Sequence, residues 1–270
     1  MFHGYSQTPQ YWAAEARSRY EEGYDVMATS LPGHGFIDEN GEADTSRVPS
    51  AQQADRYTKY AKAMFDKARS RSDKVHVIGF SVGGAHALEV ALSQADTLGK
   101  DGKNVLRSAV AINPNIATTP RKVGPFDLDV DRAVKLADLV TFGAVGKALA
   151  RVPYTFPLRE LEQRAGRPVG FTKVSVNNLL GIMRFGDSVQ DRADARQAPM
   201  KQPVYVVVSE RDPTANPKKG LQLARSIGAR TVVLPISVHN PLLGRGAVAA
   251  TESRRVHDTI SEALRRGDQL

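Results

Sequence analysis

Cysteine is absent from all 270 residues. That absence excludes disulfides, thiolate metal centres and a cysteine nucleophile together. Long apolar runs are missing too: none approaches the roughly 18–20 residues that span a bilayer. No basic-then-apolar leader precedes "MFHGYSQTP". A cytoplasmic chain without stable membrane insertion is therefore expected. Blocks of like charge are also lacking. The net charge of +8 is spread among acidic residues, as in "RKVGPFDLDVDRAVK", with no run of five or more like charges. No recognition helix, zinc finger or RNA-binding signature accompanies it, so a basic surface rather than a nucleic-acid partner is expected.

What remains is a chain long enough for one large domain, with the balanced composition of a globular protein. Apolar, β-branched runs recur at Tyr24–Thr29, Val75–Phe80, Ser108–Asn113, Val204–Ser209 and Thr231–Ile236. They read as strands buried on both faces. Helical patterns separate them at Gln10–Glu21, Ala51–Arg71, Gly83–Ser93, Pro217–Ile227 and Ala247–Arg266. Strand alternating with helix implies an α/β fold with a mostly parallel central sheet flanked by helices. The alternation stops between Pro114 and Pro199. That stretch carries helical patterns ("RAVKLADLVTFGAVGKALA", "VNNLLGIMRFG") between proline-bearing loops, and no convincing strand. Residues 1–113 and 200–270 are thus expected to form a core, and 114–199 an inserted helical cap. Extra outer helices without a ligand role are the alternative reading.

One serine stands out. In "VHVIGFSVGGAHALEVAL", Gly79-Phe80-Ser81-Val82-Gly83 matches G-x-S-x-G directly after a strand pattern and directly before a helix pattern. The two glycines let the backbone pass closely through a strained turn, which leaves the hydroxyl exposed at the end of the sheet. The alternative is a glycine turn of purely structural use. A neutral serine needs a base, and the base needs an orienting acid. His239 follows the last strand pattern in "PISVHNPLL", and Asp212 follows the one before it in "VVVSERDPTANP". Parallel strands bring such positions to one sheet edge. Glu210 competes for the acid role but sits at the strand margin, whereas Asp212 is already in the turn. His76, His86 and His257 read as structural. His34, in "LPGHG", lies on a loop that borders the same edge and reads as a turn residue. The Val82 N–H opens a helix and is a candidate anion donor, and "FHGYSQTP" offers a second at Tyr5.

Taken together, "HGYSQTP", "LPGHG", "GFSVGG", "SERDPTANP" and "VHNPLL" resemble, in order, five loops of the α/β-hydrolase superfamily, over nearly the whole chain. The likeness is greatest to bacterial carboxylesterase and lysophospholipase-like serine hydrolases with a helical cap. It implies cleavage of a small-molecule acyl ester through an acyl-enzyme on Ser81, with His239 as base and Asp212 as its orienting acid. Tyr5 and Val82 would form the oxyanion hole, and no metal or organic cofactor is expected. Acyl transfer, lipid or lactone hydrolysis by the same residues, or a non-catalytic binding role on the same scaffold, are the alternatives. Leu179, Leu180, Met183 and Phe185 are candidate pocket lining, with core packing an equal explanation. One departure stands out: only Met1 and Phe2 precede His3, where the superfamily has a full central strand. Upstream residues that complete the strand are expected, because an incomplete sheet would leave its neighbours' backbone groups unpaired.

Overall fold

A computed structural model describes residues 1–40, 43–118, 171, 173–236, 238–242 and 247–270, and the backbone of three short strands at 121–123, 126–128 and 153–155. Four parallel strands form the central sheet: β1 (Val75–Phe80), β2 (Leu106–Ile112), β7 (Val204–Ser209) and β8 (Arg230–Leu234), adjacent in that order. Four shorter strands fall between β2 and β7. They are β3 (Arg121–Val123) paired antiparallel with β4 (Phe126–Leu128), and β5 (Pro153–Thr155) paired antiparallel with β6 (Lys173–Ser175). Among the described residues the α-helices are α1 (Ala13–Glu21), α2 (Asp55–Arg69), α3 (Val82–Gln94), α4 (Val176–Asp194), α5 (Pro217–Ser226) and α6 (Ala247–Asp268).

The continuous apolar strands follow from a sheet covered on both faces. Alternate residues enter two cores. Ala109, Ala111, Val204, Val206 and Val208 join residues of α2, α3, α4 and α5 in one. Val110, Ile112, Tyr205, Val207 and Leu234 meet Trp12 and the α6 residues Val256, Ile260 and Leu264 in the other. The helices therefore lie on opposite faces, and the loops that leave β1, β2, β7 and β8 emerge at one edge. Glu15 on α1 ties the outer layer together, pairing with Arg19 at 2.7 Å and with His257 of α6.

Two expectations change. Tyr24–Thr29 is not a regular strand. It reaches the sheet at a single parallel bridge, Thr29 to Phe2, while Phe2 bridges Gly79 of β1 on its other side. A strand ladder needs a partner along its length, and residues 24–29 meet only Met1 and Phe2, at Met27 and Thr29. The stretch 114–199 also contains strands, in two antiparallel pairs, so it is not purely helical. "RAVKLADLVTFGAVGKALA" lies outside the described residues. "VNNLLGIMRFG" falls in α4, which packs on α2, α3 and α5 of the core. Its buried face carries Ile182, Phe185 and Val189.

Several proton-binding groups are buried in this arrangement. Burial lowers His3 and His86 to about 4 and His34 to about 3. In the unfolded chain these groups take up protons near pH 6.5. Acidification from pH 7 to 5 therefore favours the unfolded state. Burial raises the Glu89 carboxyl, a contribution of opposite sign. The denaturant midpoint is expected to fall progressively over pH 7 to 5, a range above the titration of ordinary carboxylates. A flat or rising midpoint in chemical unfolding measured by circular dichroism would contradict this.

Candidate active site

At the carboxyl end of β1 the chain turns directly into α3 through Ser81, whose φ is 56° and ψ −119°. A non-glycine residue in that region carries strain of order 1–3 kcal/mol, sustained only by its surroundings. Those surroundings are backbone. The Ser81 N–H donates to the Ile112 carbonyl at 2.9 Å, and its own carbonyl accepts from Asn115 at 3.0 Å. A Cβ on Gly79 would stand 1.9 Å from the Gly83 carbonyl oxygen. A Cβ on Gly83 would stand 2.1 Å from the Phe2 carbonyl oxygen and 2.5 Å from that of His3. The two glycines of the motif thus let β1, α3 and the N-terminal loop meet at van der Waals distance.

Ser81, His239 and Asp212 come together here. Ser81 Oγ lies 2.8 Å from His239 Nε2, and His239 Nδ1 lies 2.7 Å from Asp212 Oδ2. Asp212 is buried, and its other oxygen accepts the Thr214 and Ala215 N–H groups at 2.7 and 3.0 Å. Those bonds fix the carboxylate plane and leave Oδ2 to accept from imidazole. The bond order is then Ser81 O–H to Nε2 and Nδ1–H to Asp212. Glu210 is exposed two residues earlier, where its backbone N–H continues the ladder to Leu234. The imidazole also rests against the Phe80 ring, with centroids 5.0 Å apart.

The N-terminal loop lies against the first turn of α3, where the Phe2 and His3 carbonyls meet Gly83. His3 braces it: Nδ1–H donates to the Gly4 carbonyl at 2.8 Å while Nε2 accepts the Leu31 N–H at 3.1 Å. Both bonds require neutral imidazole in one tautomer, in keeping with its lowered pKa. Gln7 Oε1 accepts the Gly4 N–H at 2.9 Å, closing the turn. Tyr5 is buried, with its ring edge-on to His34 and Phe171 at 5.3 and 5.1 Å. The Val82 carbonyl accepts from His86 Nδ1 at 2.8 Å.

Of the candidate lining residues, Phe185 sits in the core against Tyr57 and His86, at 5.4 and 4.6 Å. Leu180 is buried on the same helix, and Leu179 and Met183 are half-buried. Among the described residues, no three His, Asp or Glu side chains converge as metal ligands, and no helix is long and apolar enough to cross a membrane.

Sequence reasoning passed over Asn113. It follows β2 with φ 41°, donates through Nδ2 to the His239 carbonyl at 2.6 Å and to Ser209 Oγ at 2.9 Å, and accepts the Ser209 N–H at 2.6 Å. It therefore locks the histidine loop to the ends of β2 and β7. Tyr11 adds a second tie, donating to Asn240 Oδ1 at 2.9 Å. A polar residue ending an apolar strand, at the edge where the other site residues emerge, was the available signal.

The sequence profile described as "Alpha/beta hydrolase family" matches residues 1–251. The chain belongs to the alpha/beta hydrolase family. Its fold is similar to that of a monoacylglycerol lipase from Paleococcus ferrophilus (16% identity, 96% of this chain and 92% of that one, TM-score 0.64). It also resembles a monoglyceride lipase from Saccharomyces cerevisiae (14% identity, 97% and 86%, TM-score 0.62). An enol-lactonase from Burkholderia xenovorans is similar too (19% identity, 96% and 89%, TM-score 0.55). No curated protein matches the sequence.

The close approach at Gly83 makes a specific prediction for this hydrolase. Gly83→Ala should destabilise by about 1–3 kcal/mol, the usual cost of overpacking, because the atoms it meets are backbone. Gly84→Ala meets Pro114 Cα at 3.0 Å and the Ile112 carbonyl oxygen at 3.2 Å, tight contacts that a shift of a few tenths of an ångström relieves, and it gains helix propensity, so it should destabilise less than Gly83→Ala. Comparing urea midpoints of the two variants checks the assignment.

Proposed function

We propose that this hydrolase cleaves carboxylic esters through an acyl-enzyme on Ser81. The observation that carries the reading is the hydrogen-bonded series from Ser81 through His239 to buried Asp212. His239 Nε2 takes the Ser81 proton as Oγ attacks the ester carbonyl carbon, then returns it to the departing alcohol oxygen. Water repeats the sequence on the acyl-enzyme, with His239 again as base, and releases the acid. Asp212 holds Nδ1–H and stabilises the imidazolium formed at each attack. The negative charge that develops on the carbonyl oxygen is met by the Val82 N–H, at the positive end of α3, and by the Tyr5 N–H. Leu179, Leu180 and Met183 are proposed as pocket lining.

The similar folds include lipases and a lactonase, so glycerides and lactones belong beside simple esters in the substrate panel. A binding protein on this scaffold would lack reactivity at Ser81.

A fluorophosphonate probe is expected to label wild type at Ser81, and Ser81→Ala should lose both labelling and ester turnover by several orders of magnitude while keeping its circular dichroism spectrum. A folded Ser81→Ala variant that retained more than about a tenth of the activity would sink the assignment. Asp212→Asn should lower kcat by roughly 10⁴-fold through the wrong imidazole tautomer. Glu210→Gln should stay within about threefold of wild type, as expected for an exposed side chain away from the imidazole. The reverse pattern would move the acid role to Glu210.

A further inference from the structure

The loop that follows Thr29 carries a groove that the chemistry at Ser81 leaves unused. Phe2 bridges Thr29 on one side and Gly79 on the other, both in parallel. Ser30 and Leu31 therefore continue from Thr29 as Phe80 and Ser81 continue from Gly79. The loop opens at the sheet edge where Ser81 turns, two strand spacings away, or roughly 10 Å.

Ser30, Gly33, His34, Phe36, Arg47 and Arg56 line this groove, which encloses about 430 Å³. Gly33 lets its walls approach. It has a φ of 77°, and a Cβ there would stand 2.4 Å from the Val48 backbone. Buried Val48 packs against it and brings Arg47 to the rim. Arg56 comes from the first turn of α2. Buried Tyr57 fixes that helix in the core, and the Tyr60 hydroxyl ties it to the Ser30 carbonyl.

Among the described residues no acidic side chain lines the groove. Arg47 lies over the Phe36 ring, 4.5 Å from its centroid, which orients the planar guanidinium. Its nearest carboxylate, Asp44, stands 3.6 Å away and already accepts the Ser46 N–H. Arg56 makes no ion pair with a described residue. The other described acids of the loop, Asp38 and Glu39, are exposed, where salt screens them within about 8 Å. His34 forms the inner wall. Its Nδ1–H donates to the Pro32 carbonyl at 3.0 Å, and its ring meets those of His3 and Tyr5 edge-on, each at 5.3 Å. One buried ring thus separates the groove from the loop that carries Tyr5.

We infer that this groove binds a carboxylate of the substrate, so that the esters cleaved at Ser81 carry a second, anionic end roughly 10 Å from the scissile carbonyl. Guanidinium forks match the two oxygens of a carboxylate, and a charge-assisted bond is about twice as strong as a neutral one. Arg47 is shared with Asp44, so the pair balances one negative charge better than the two of a phosphate. An uncharged acyl chain gains nothing from either arginine, and a cationic end is repelled. The inference rests on the reading of Ser81 as the nucleophile.

Two p-nitrophenyl esters of equal length test it: the sebacate monoester, which ends in a carboxylate, and the uncharged decanoate, both below their aggregation concentrations. Wild type should favour the sebacate ester by about tenfold or more in kcat/KM, mainly through a lower KM. The combined Arg47→Gln and Arg56→Gln variant should bring that ratio close to one, while Arg56→Lys, which keeps the charge, should retain most of it. A purely structural role for the arginines would lower both esters alike and leave the ratio intact. Equal kcat/KM for the two esters in wild type, or a ratio that survives both substitutions, would overturn the proposal. If neither ester is cleaved, the reading of Ser81 has failed, and calorimetric titration with sebacate itself then decides the groove. Binding to wild type that the double variant loses would uphold the carboxylate site, and no binding would overturn it.

Discussion

The close meeting of three backbone segments around Ser81 is the constraint on which the rest of the site depends. Gly79 on β1, Gly83 on α3 and the Phe2–His3 peptide occupy space that no side chain can share. This packing holds Ser81 at a φ of 56° against its intrinsic preference. The turn that exposes the hydroxyl and the loop beside Gly83 are therefore parts of one contact. Loosening either part loosens the other, since protein interiors transmit displacement rather than absorb it.

Around that contact the parallel sheet acts as an alignment device. Ladders between β1, β2, β7 and β8 bring the following loops to the same edge, where Ser81, Asn113, Asp212 and His239 arrive from four different strands. Asn113 turns proximity into geometry, because it bonds both the end of β7 and the carbonyl of His239. The histidine's backbone is thereby held from the strand that lies between those of the serine and the acid. Asp212, held by two amides at Oδ1, accepts from His239 at Oδ2.

On the far side of β1, Met1 and Phe2 bond to both β1 and residues 27–29, and they lead into the loop that carries His3 and Tyr5. Support for that loop comes from below through Gly83 and from the side through His3, whose two ring nitrogens bridge Gly4 and Leu31. The three neutral histidines, His3, His34 and His86, belong to this same region, where aromatic rings pack them away from water.

Much of this was legible in residue order. The four regular strands of the sheet, the α/β class, and the serine, histidine and aspartate at strand ends follow from local patterns: apolar runs, glycines flanking a serine, polar residues just past a strand. Those signals are local because burial on both faces and tight turns place demands on each residue separately. Asn113, the core placement of Phe185 and the irregular path of 24–29 were not legible. Each is decided by partners tens to more than a hundred residues away, such as His239 for Asn113 and Phe2 for Thr29. A hydrogen bond or a strand pairing belongs to two segments at once, so only the folded chain, which sets their distance, determines whether it forms.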